Sequence, residues 1–334
     1  MRYAYKGDKP VDDRGNKSGL GVSKRDDLGV ASDIKPYAPD PVLGFLNTST
    51  RSAIEREINR RGVLLDQLSK ACGGDADCIF NNVFGVRSSG MEVLTRPYGV
   101  YFYGDDSVFS QLVPLVGFMN NRGVSFPPDP DNVVKRREFL GMVGFGDREV
   151  ANHEFEHMFN SMLPFRTLQD EFEKLKPDIS RPTDDDSIQV LKSRHYRLWA
   201  NSFLKDEILA RITNGQIMNA EEQTFDDVYS GGGRIFKTYE PDTLFEYVSP
   251  YKSDAHAYGV KPVSHDESDR FWERYHAVVD PIRRYWLDAY NLNIRLIKNT
   301  VSVGADTARL RAIIVETPFD KISEEIRRQL TKGK

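Results

Sequence analysis

The chain has 334 residues, of which 39% are hydrophobic and 29% are charged, and its formal net charge is −4. This composition is typical of a soluble globular protein that is long enough for a substantial core. The small negative charge gives no electrostatic argument for nucleic acid as a partner. Apolar runs of the roughly 20 residues that cross a bilayer are missing, as is the apolar segment of a signal peptide. We therefore expect a cytoplasmic protein without a membrane span.

The predicted elements begin after a polar N-terminal segment. Residues 1–45 are rich in Asp, Lys, Gly and Pro and show no apolar period, which predicts a flexible or extended arm. Capping residues at 48–50 then begin a helix that should end at the glycines at 73–74. Its apolar stripe consists of Ile54, Ile58, Leu65 and Leu68. The two cysteines, Cys72 and Cys78, are expected as free thiols, with a local bridge or a redox pair as the alternative.

Short β-prone segments precede a more helical C-terminal part. Val100–Tyr103 and Leu140–Phe145 are bounded by Gly or Asp, and each predicts a strand. The next helix is expected from about Asp147 to just before Pro164. Three further helices are predicted at about 187–213, at about 267–290 with a start or kink at Pro281, and at about 321–331.

The helix that begins near Asp147 carries the residues that indicate chemistry. His153, Glu154 and His157 form the pattern His-Glu-x-x-His. On a helix, residues i and i+4 lie one turn apart on the same face, so both imidazoles can reach one zinc ion. Glu154 lies between them and can take a proton from an attacking water whose pKa the zinc ion lowers.

The positions around the motif support a buried metal site. Val150 and Ser161 share the stripe of the motif residues, and an apolar stripe and a polar stripe lie beside it. The apolar stripe is Ala151, Phe155, Met158 and Met162, and the polar stripe is Asn152, Glu156 and Asn160. The segment resembles the zincin metallopeptidases. Their pattern prefers a small or branched residue three positions before the first His, and Val150 satisfies this preference. It also prefers uncharged residues elsewhere in the motif, and Glu156 breaks that preference.

The resemblance implies a third protein ligand, because zincin sites bind zinc through three side chains and keep a fourth position for water. The gluzincin branch takes a Glu from a second helix downstream. Glu207 is the candidate, because it shares a helical face with Tyr196 and Ala200. Asp206 is the alternative ligand, or it accepts a hydrogen bond from a ligand imidazole. The metzincin branch needs a Gly and a third His, and residues 158–170 contain neither.

The resemblance also implies a Tyr, His or Arg that stabilises the oxyanion of the transition state beside the metal. His195 and Tyr196 are candidates because they lie close to the predicted ligand helix. His256 and Tyr258 are candidates because they lie in a loop-like segment that could fold over a cleft. The sequence does not select among these four residues.

Together these features predict an α+β protein with a zincin-like core. A small mixed sheet should precede the motif helix within residues 46–163, and a mostly helical part, residues 164–334, should supply the third ligand. The implied function is that of a zinc-dependent metallohydrolase, a peptidase with Zn²⁺ as its cofactor and a peptide or protein as its substrate. Glu154 is then the general base, and His153, His157 and Glu207 bind the metal.

Two other classes of function fit parts of the sequence. Ferritin-like di-iron proteins take Glu, Glu-x-x-His, Glu and Glu-x-x-His from four helices. The chain offers, in that order, Glu57, then Glu154 with His157, then Glu207, then Glu273 with His276. Glu273 falls nearly opposite the apolar stripe of its helix, which suits a ligand poorly. The other class is a non-enzymatic interaction protein with a degenerate motif.

Overall fold

The computed structural model describes residues 40–84, 90–103, 123–125, 142–146, 148–164, 171, 185–225 and 264–331. The strands are β1 (Glu92–Arg96), β2 (Gly99–Tyr103), β3 (Gly123–Ser125) and β4 (Val143–Gly146). The helices are α1 (Thr48–Ala71), α2 (Ala76–Phe84), α3 (Ala151–Asn160), α4 (Asp185–Trp199), α5 (Lys205–Thr213), α6 (His265–Ser302), α7 (Thr307–Glu316) and α8 (Ile322–Ile326). The protein is therefore of mixed α+β composition and mostly helical, as expected.

The last residues of the predicted arm belong to the core. Pro41–Gly44 form a short 3-10 turn, which the Asp40 side chain caps by accepting a hydrogen bond of 2.9 Å from the Val42 N–H. Val42 and Leu43 are buried in the main hydrophobic cluster. The flexible or extended arm stays a prediction for residues 1–39, which lie outside the described residues.

A small mixed sheet precedes the motif helix, as the sequence predicts. The strand order is β1-β2-β4-β3, in which β2 and β4 are parallel and the two outer strands are antiparallel to their neighbours. Because side chains alternate along a strand, Tyr101 packs into one hydrophobic cluster while Val100 and Phe102 pack into the other. The apolar run at 100–102 is therefore the signature of a strand that is buried on both faces.

The sheet supports α3, the helix that carries the motif. α3 packs against β2, β3 and β4, and its residues Phe155 and Met158 are buried in the main cluster. The approach is so close that a Cβ atom on Gly99 would lie 2.3 Å from Met158 Sδ and 2.7 Å from the Met142 carbonyl oxygen. The absence of a side chain at Gly99 is thus what lets this helix lie directly on the sheet.

A buried arginine contacts the C-terminal end of α3. Arg61, which is only 1% exposed, reaches from α1 to the Met158 carbonyl and to Ser161 Oγ, each at 3.0 Å. The C-terminal carbonyls of a helix lack partners within the helix and favour a nearby cation. Arg61 supplies both a donor and a charge at this point.

The C-terminal helices differ from prediction in two places. α6 neither begins at Pro281 nor ends near residue 290, but runs from His265 to Ser302, and neither Pro281 nor Ala277 is buried. Water can therefore replace the hydrogen bond that proline removes from the Ala277 carbonyl. α7 has no predicted counterpart, because it is buried on most sides and so lacks a helical period. Among the described residues, we find no helix that is both long and apolar enough to span a membrane.

The two cysteines form a disulfide, so the expectation of free thiols is wrong. Cys72 ends α1 and Cys78 lies in α2, with their Cα atoms 5.5 Å apart. Gly73 and Gly74, whose φ angles are 61° and 79°, reverse the chain between them. Disulfides persist mainly in oxidising compartments. The bond therefore does not favour the cytoplasmic location that we expected.

We predict that replacing both cysteines, Cys72→Ser with Cys78→Ser, lowers the free energy of unfolding by about 2 kcal/mol. The effect is modest because the bond closes a short loop and so restricts the unfolded chain only slightly. Urea unfolding with and without a reducing agent measures it, and the reduced wild type should match the double variant. A wild-type curve that the reducing agent leaves unchanged would speak against the bond.

Candidate metal centre

Two imidazoles of α3 meet on one side of the helix. His153 and His157 are one turn apart, and their Nε2 atoms lie 3.0 Å from each other. Their side chains are 15% and 17% exposed. The placement on one partly buried face is the arrangement that the helical spacing predicts.

Glu207 comes to this pair from α5. Its Oε2 atom lies 3.8 Å from His153 Nε2 and 3.7 Å from His157 Nε2. Donor atoms that bind a tetrahedral zinc ion at about 2.0–2.1 Å lie about 3.4 Å from one another. The three spacings of this group, 3.0, 3.7 and 3.8 Å, fall on both sides of that value. The group could therefore hold a metal ion with only small side-chain movements.

Asp206 contacts the other nitrogen of a candidate ligand. Its Oδ2 atom lies 2.9 Å from His157 Nδ1, while its Oδ1 atom accepts a hydrogen bond of 2.7 Å from Asn160 Nδ2. A carboxylate in this position fixes the orientation and the tautomer of a ligand imidazole. Of the two acids that the sequence offers, the geometry favours Glu207 as the ligand and Asp206 as the residue behind it.

An irregular turn precedes these two acids. α4 passes into α5 through a π-helical turn, Ala200–Leu204, and such turns break the regular hydrogen-bond pattern of a helix. Two polar side chains bind the carbonyls of the preceding turn: Asn201 Nδ2 donates to the Arg197 carbonyl at 2.9 Å, and Ser202 Oγ donates to the Leu198 carbonyl at 2.7 Å. They stabilise the turn from which Asp206 and Glu207 follow.

Burial and nearby charges shift the pKa values of the two histidines in opposite directions. Burial lowers the pKa of His153 to about 4. Burial acts in the same direction on His157, but Asp206, Glu154 and Glu207 together raise the pKa of His157 to about 10. Burial works against ionisation of Glu207, yet the histidines and Arg211 lower its pKa. The three carboxylates therefore favour a positive charge on His157, whereas burial disfavours one on His153.

Glu154 lies beside the group without belonging to it. It is buried in the first turn of α3, and its charge contributes to the raised pKa of His157. A carboxylate that is near a metal site but is not a ligand can act as a general base. The role of Glu154 stays a prediction.

Sequence reasoning missed two residues next to Glu207. Arg211 Nε donates a hydrogen bond of 2.9 Å to Glu207 Oε1. Tyr290, from α6, is fully buried, and burial with the nearby charge of Glu207 raises its pKa to about 12. The spacing of four residues between Glu207 and Arg211 is a signal that could have been used. In the sequence, Tyr290 fits only the apolar pattern of its helix, which gives no sign of a place near the site.

The structure describes two of the four candidates for oxyanion stabilisation. His195 and Tyr196 are both fully buried in α4, and Tyr196 Oη accepts a hydrogen bond of 3.1 Å from Arg283 Nε. His256 and Tyr258 lie outside the described residues. The role of each stays a prediction.

Two of the three residues of the polar stripe of α3, Glu156 and Asn160, are buried, whereas Asn152 is exposed. Glu156 is buried and forms an ion pair with Arg311 of α7, whose Nη1 also lies 3.0 Å from Asp40 Oδ1. Burial raises the pKa of Glu156 to about 7, and Arg311 opposes this effect. A charged residue that breaks the zincin pattern is therefore accommodated by a buried cation.

The remaining residues of the di-iron alternative lie elsewhere. Glu57 accepts hydrogen bonds from Arg60 and Arg61, and although burial opposes them, these bonds lower its pKa to about 2. Glu273 is exposed, and His276 Nδ1 faces Asp280 at 3.4 Å. Within the described part of the chain, the group of His, Cys, Asp and Glu that could hold a metal contains none of these residues. The arrangement does not favour a di-iron site.

Comparisons with known proteins do not place the chain in a family. No protein-family model, no curated protein and no solved structure matches it. The zincin resemblance thus stays a prediction, and the interpretation of the site depends on the geometry of its own side chains.

Proposed function

We propose that the protein is a zinc-dependent metallohydrolase, a peptidase of the gluzincin type. The observation that carries the proposal is the convergence of His153 Nε2, His157 Nε2 and Glu207 Oε2, with separations of 3.0 to 3.8 Å. Asp206 behind His157 supports it, because such a carboxylate typically accompanies a metal-bound histidine. Two imidazoles and one carboxylate are the ligand set of several zinc hydrolases.

Each residue of the site has a role in this proposal. A bound zinc ion would supply a Lewis acid that acidifies a water molecule and polarises the substrate carbonyl. Glu154 takes the proton from the attacking water and then delivers it to the leaving amine. Asp206 Oδ2 faces His157 Nδ1 at 2.9 Å and so directs Nε2 of the same ring toward the metal. The ligand side chains are partly buried, with 11–17% of their surface exposed.

The sheet offers a place for an extended peptide. β4 is paired on both sides, whereas β3 lies at the edge of the described sheet and also packs against α3. An unpaired strand edge can take up a further strand through main-chain hydrogen bonds. Among the described residues, β3 has no partner strand on its outer side, and we propose that an extended peptide substrate lies along it.

Metal analysis tests the proposal. We expect one zinc ion per chain, by mass spectrometry, in protein that is purified without added zinc, and none in the His157→Ala variant. Two irons per chain would support the di-iron alternative. A chain without bound metal, even after incubation with zinc, would support the interaction protein and overturn our proposal.

We predict that Asp206→Asn weakens zinc binding by about 10–100-fold. The amide keeps the size of the side chain, but it loses the charge that orients and polarises His157. Competition with a chelator measures the change in dissociation constant. Asp269→Asn is the matched control, because Asp269 Oδ2 lies 3.5 Å from His265 Nδ1 in an exposed pair. Equal affinities of the Asp206 variant and the wild type would remove Asp206 from the site.

A further inference from the structure

The two oxygens of the Glu207 carboxylate have different partners. Oε2 faces the imidazoles of His153 and His157 at 3.8 and 3.7 Å. Oε1 accepts a hydrogen bond of 2.9 Å from Nε of Arg211, which lies one turn further along α5. Arg211 belongs to the same helix as Glu207 and the two histidines belong to α3, so the carboxylate lies between the Arg211 cation and the candidate metal position.

We propose that Arg211 is a positioning residue that keeps Glu207 bound to the metal through one oxygen, an inference that rests on the proposed function. Carboxylates bind metal ions through one or two oxygens. A second oxygen from Glu207 would add a fifth donor beside the position that a four-coordinate hydrolytic zinc site keeps for water. The charge-assisted hydrogen bond from Arg211 holds Oε1 away from that position.

Burial makes this restraint effective. The Glu207 side chain is 11% exposed and the Arg211 side chain 23% exposed. A partly buried charged hydrogen bond is screened less by solvent than a surface pair. The arginine also offsets negative charge at a place where Glu154, Asp206 and Glu207 come together. Arg211 thus restrains the orientation of the carboxylate as well as its charge.

Loss of the positive charge of Arg211 and loss of its restraint on Glu207 would change the zinc affinity in opposite directions. Loss of a nearby positive charge alone would strengthen the binding of a cation. Loss of the restraint would weaken binding, because the ligand is no longer held in place. If Arg211 acts by positioning, Arg211→Met therefore weakens zinc binding, by about 10-fold.

The experiment compares wild type, Arg211→Met, Arg211→Lys and the control Arg51→Met. Arg51 Nε lies 2.9 Å from Glu55 Oε1 in an exposed pair with the same spacing. Zinc affinity is measured by chelator competition, and the coordination number is read from the visible absorption of the cobalt(II)-loaded protein, which is stronger for four ligands than for five. We expect weaker affinity and weaker cobalt bands for Arg211→Met. Arg211→Lys and Arg51→Met should be close to wild type.

Each outcome decides a separate point. A wild type that binds neither zinc nor cobalt overturns the proposed function itself. A wild type that binds both, together with an Arg211→Met variant of equal affinity and equal spectrum, overturns only the role of Arg211. Tighter zinc binding by Arg211→Met would also overturn it, in favour of charge alone. If the methionine variant does not fold, Arg211→Gln, which keeps a polar group but not the charge, answers the same question.

Discussion

Glu154→Gln should lower kcat for peptide hydrolysis by about 10²–10⁴-fold, the usual contribution of a general base, while one zinc ion per chain stays bound. The amide has almost the shape of the carboxylate but cannot accept the proton of the attacking water. Because Glu154 lies next to the ligand group and is not one of its three donors, we expect the metal affinity to stay unchanged.

The measurement uses a mixture of peptides from a protein digest, with the products followed by mass spectrometry, because the sequence preference of the site is unknown. Wild type and Glu154→Gln are purified in parallel, and their zinc content is determined on the same samples. Glu55→Gln serves as the control, since Glu55 is an exposed residue of α1 that pairs with Arg51.

Three results are informative here. A large fall in rate with zinc retained supports the assigned role. An equal rate in wild type and variant contradicts it, and also indicates that the activity comes from a contaminating peptidase or from another base. Loss of zinc from Glu154→Gln would show that Glu154 is a ligand rather than the base.

The parts of the site that the sequence predicted are those that depend on local geometry. The spacing of His153 and His157 puts them on one face of any helix, and the structure has them there. Glu207 was identified because an acid on the inner face of a helix needs a cationic partner. The strands near residues 100 and 145 were recognisable because both segments are short, β-prone and bounded by Gly or Asp.

The parts that were missed depend on contacts between distant segments or on unusual local order. Glu156 meets Arg311, which is 155 residues away, so its burial could not be deduced from the pattern of α3. α7 has apolar residues on almost every side and therefore no amphipathic signal. The π-helical turn before α5 changes the phase of the helix, and a regular period of 3.6 residues does not anticipate it.

The buried ion pair behind the motif leads to the largest stability effect that we expect. Arg311→Met should lower the free energy of unfolding by about 3–5 kcal/mol. Arg311 is the cation between Glu156 and Asp40, and Glu156 is only 3% exposed. Removing the arginine leaves two carboxylates in the interior, and one of them must be protonated or exposed at a cost.

Urea unfolding of Arg311→Met, beside the control Arg309→Met, tests this expectation. Arg309 is on the same helix but is exposed, and its Nη2 donates only a long hydrogen bond of 3.4 Å to the Gln329 carbonyl. A loss below about 1 kcal/mol would place the Arg311 pair among ordinary surface ion pairs. Adding Glu156→Gln to Arg311→Met removes the stranded charge and should recover part of the loss. Because Glu156 and His157 are adjacent on α3, the same double variant shows how strongly zinc binding depends on this pair.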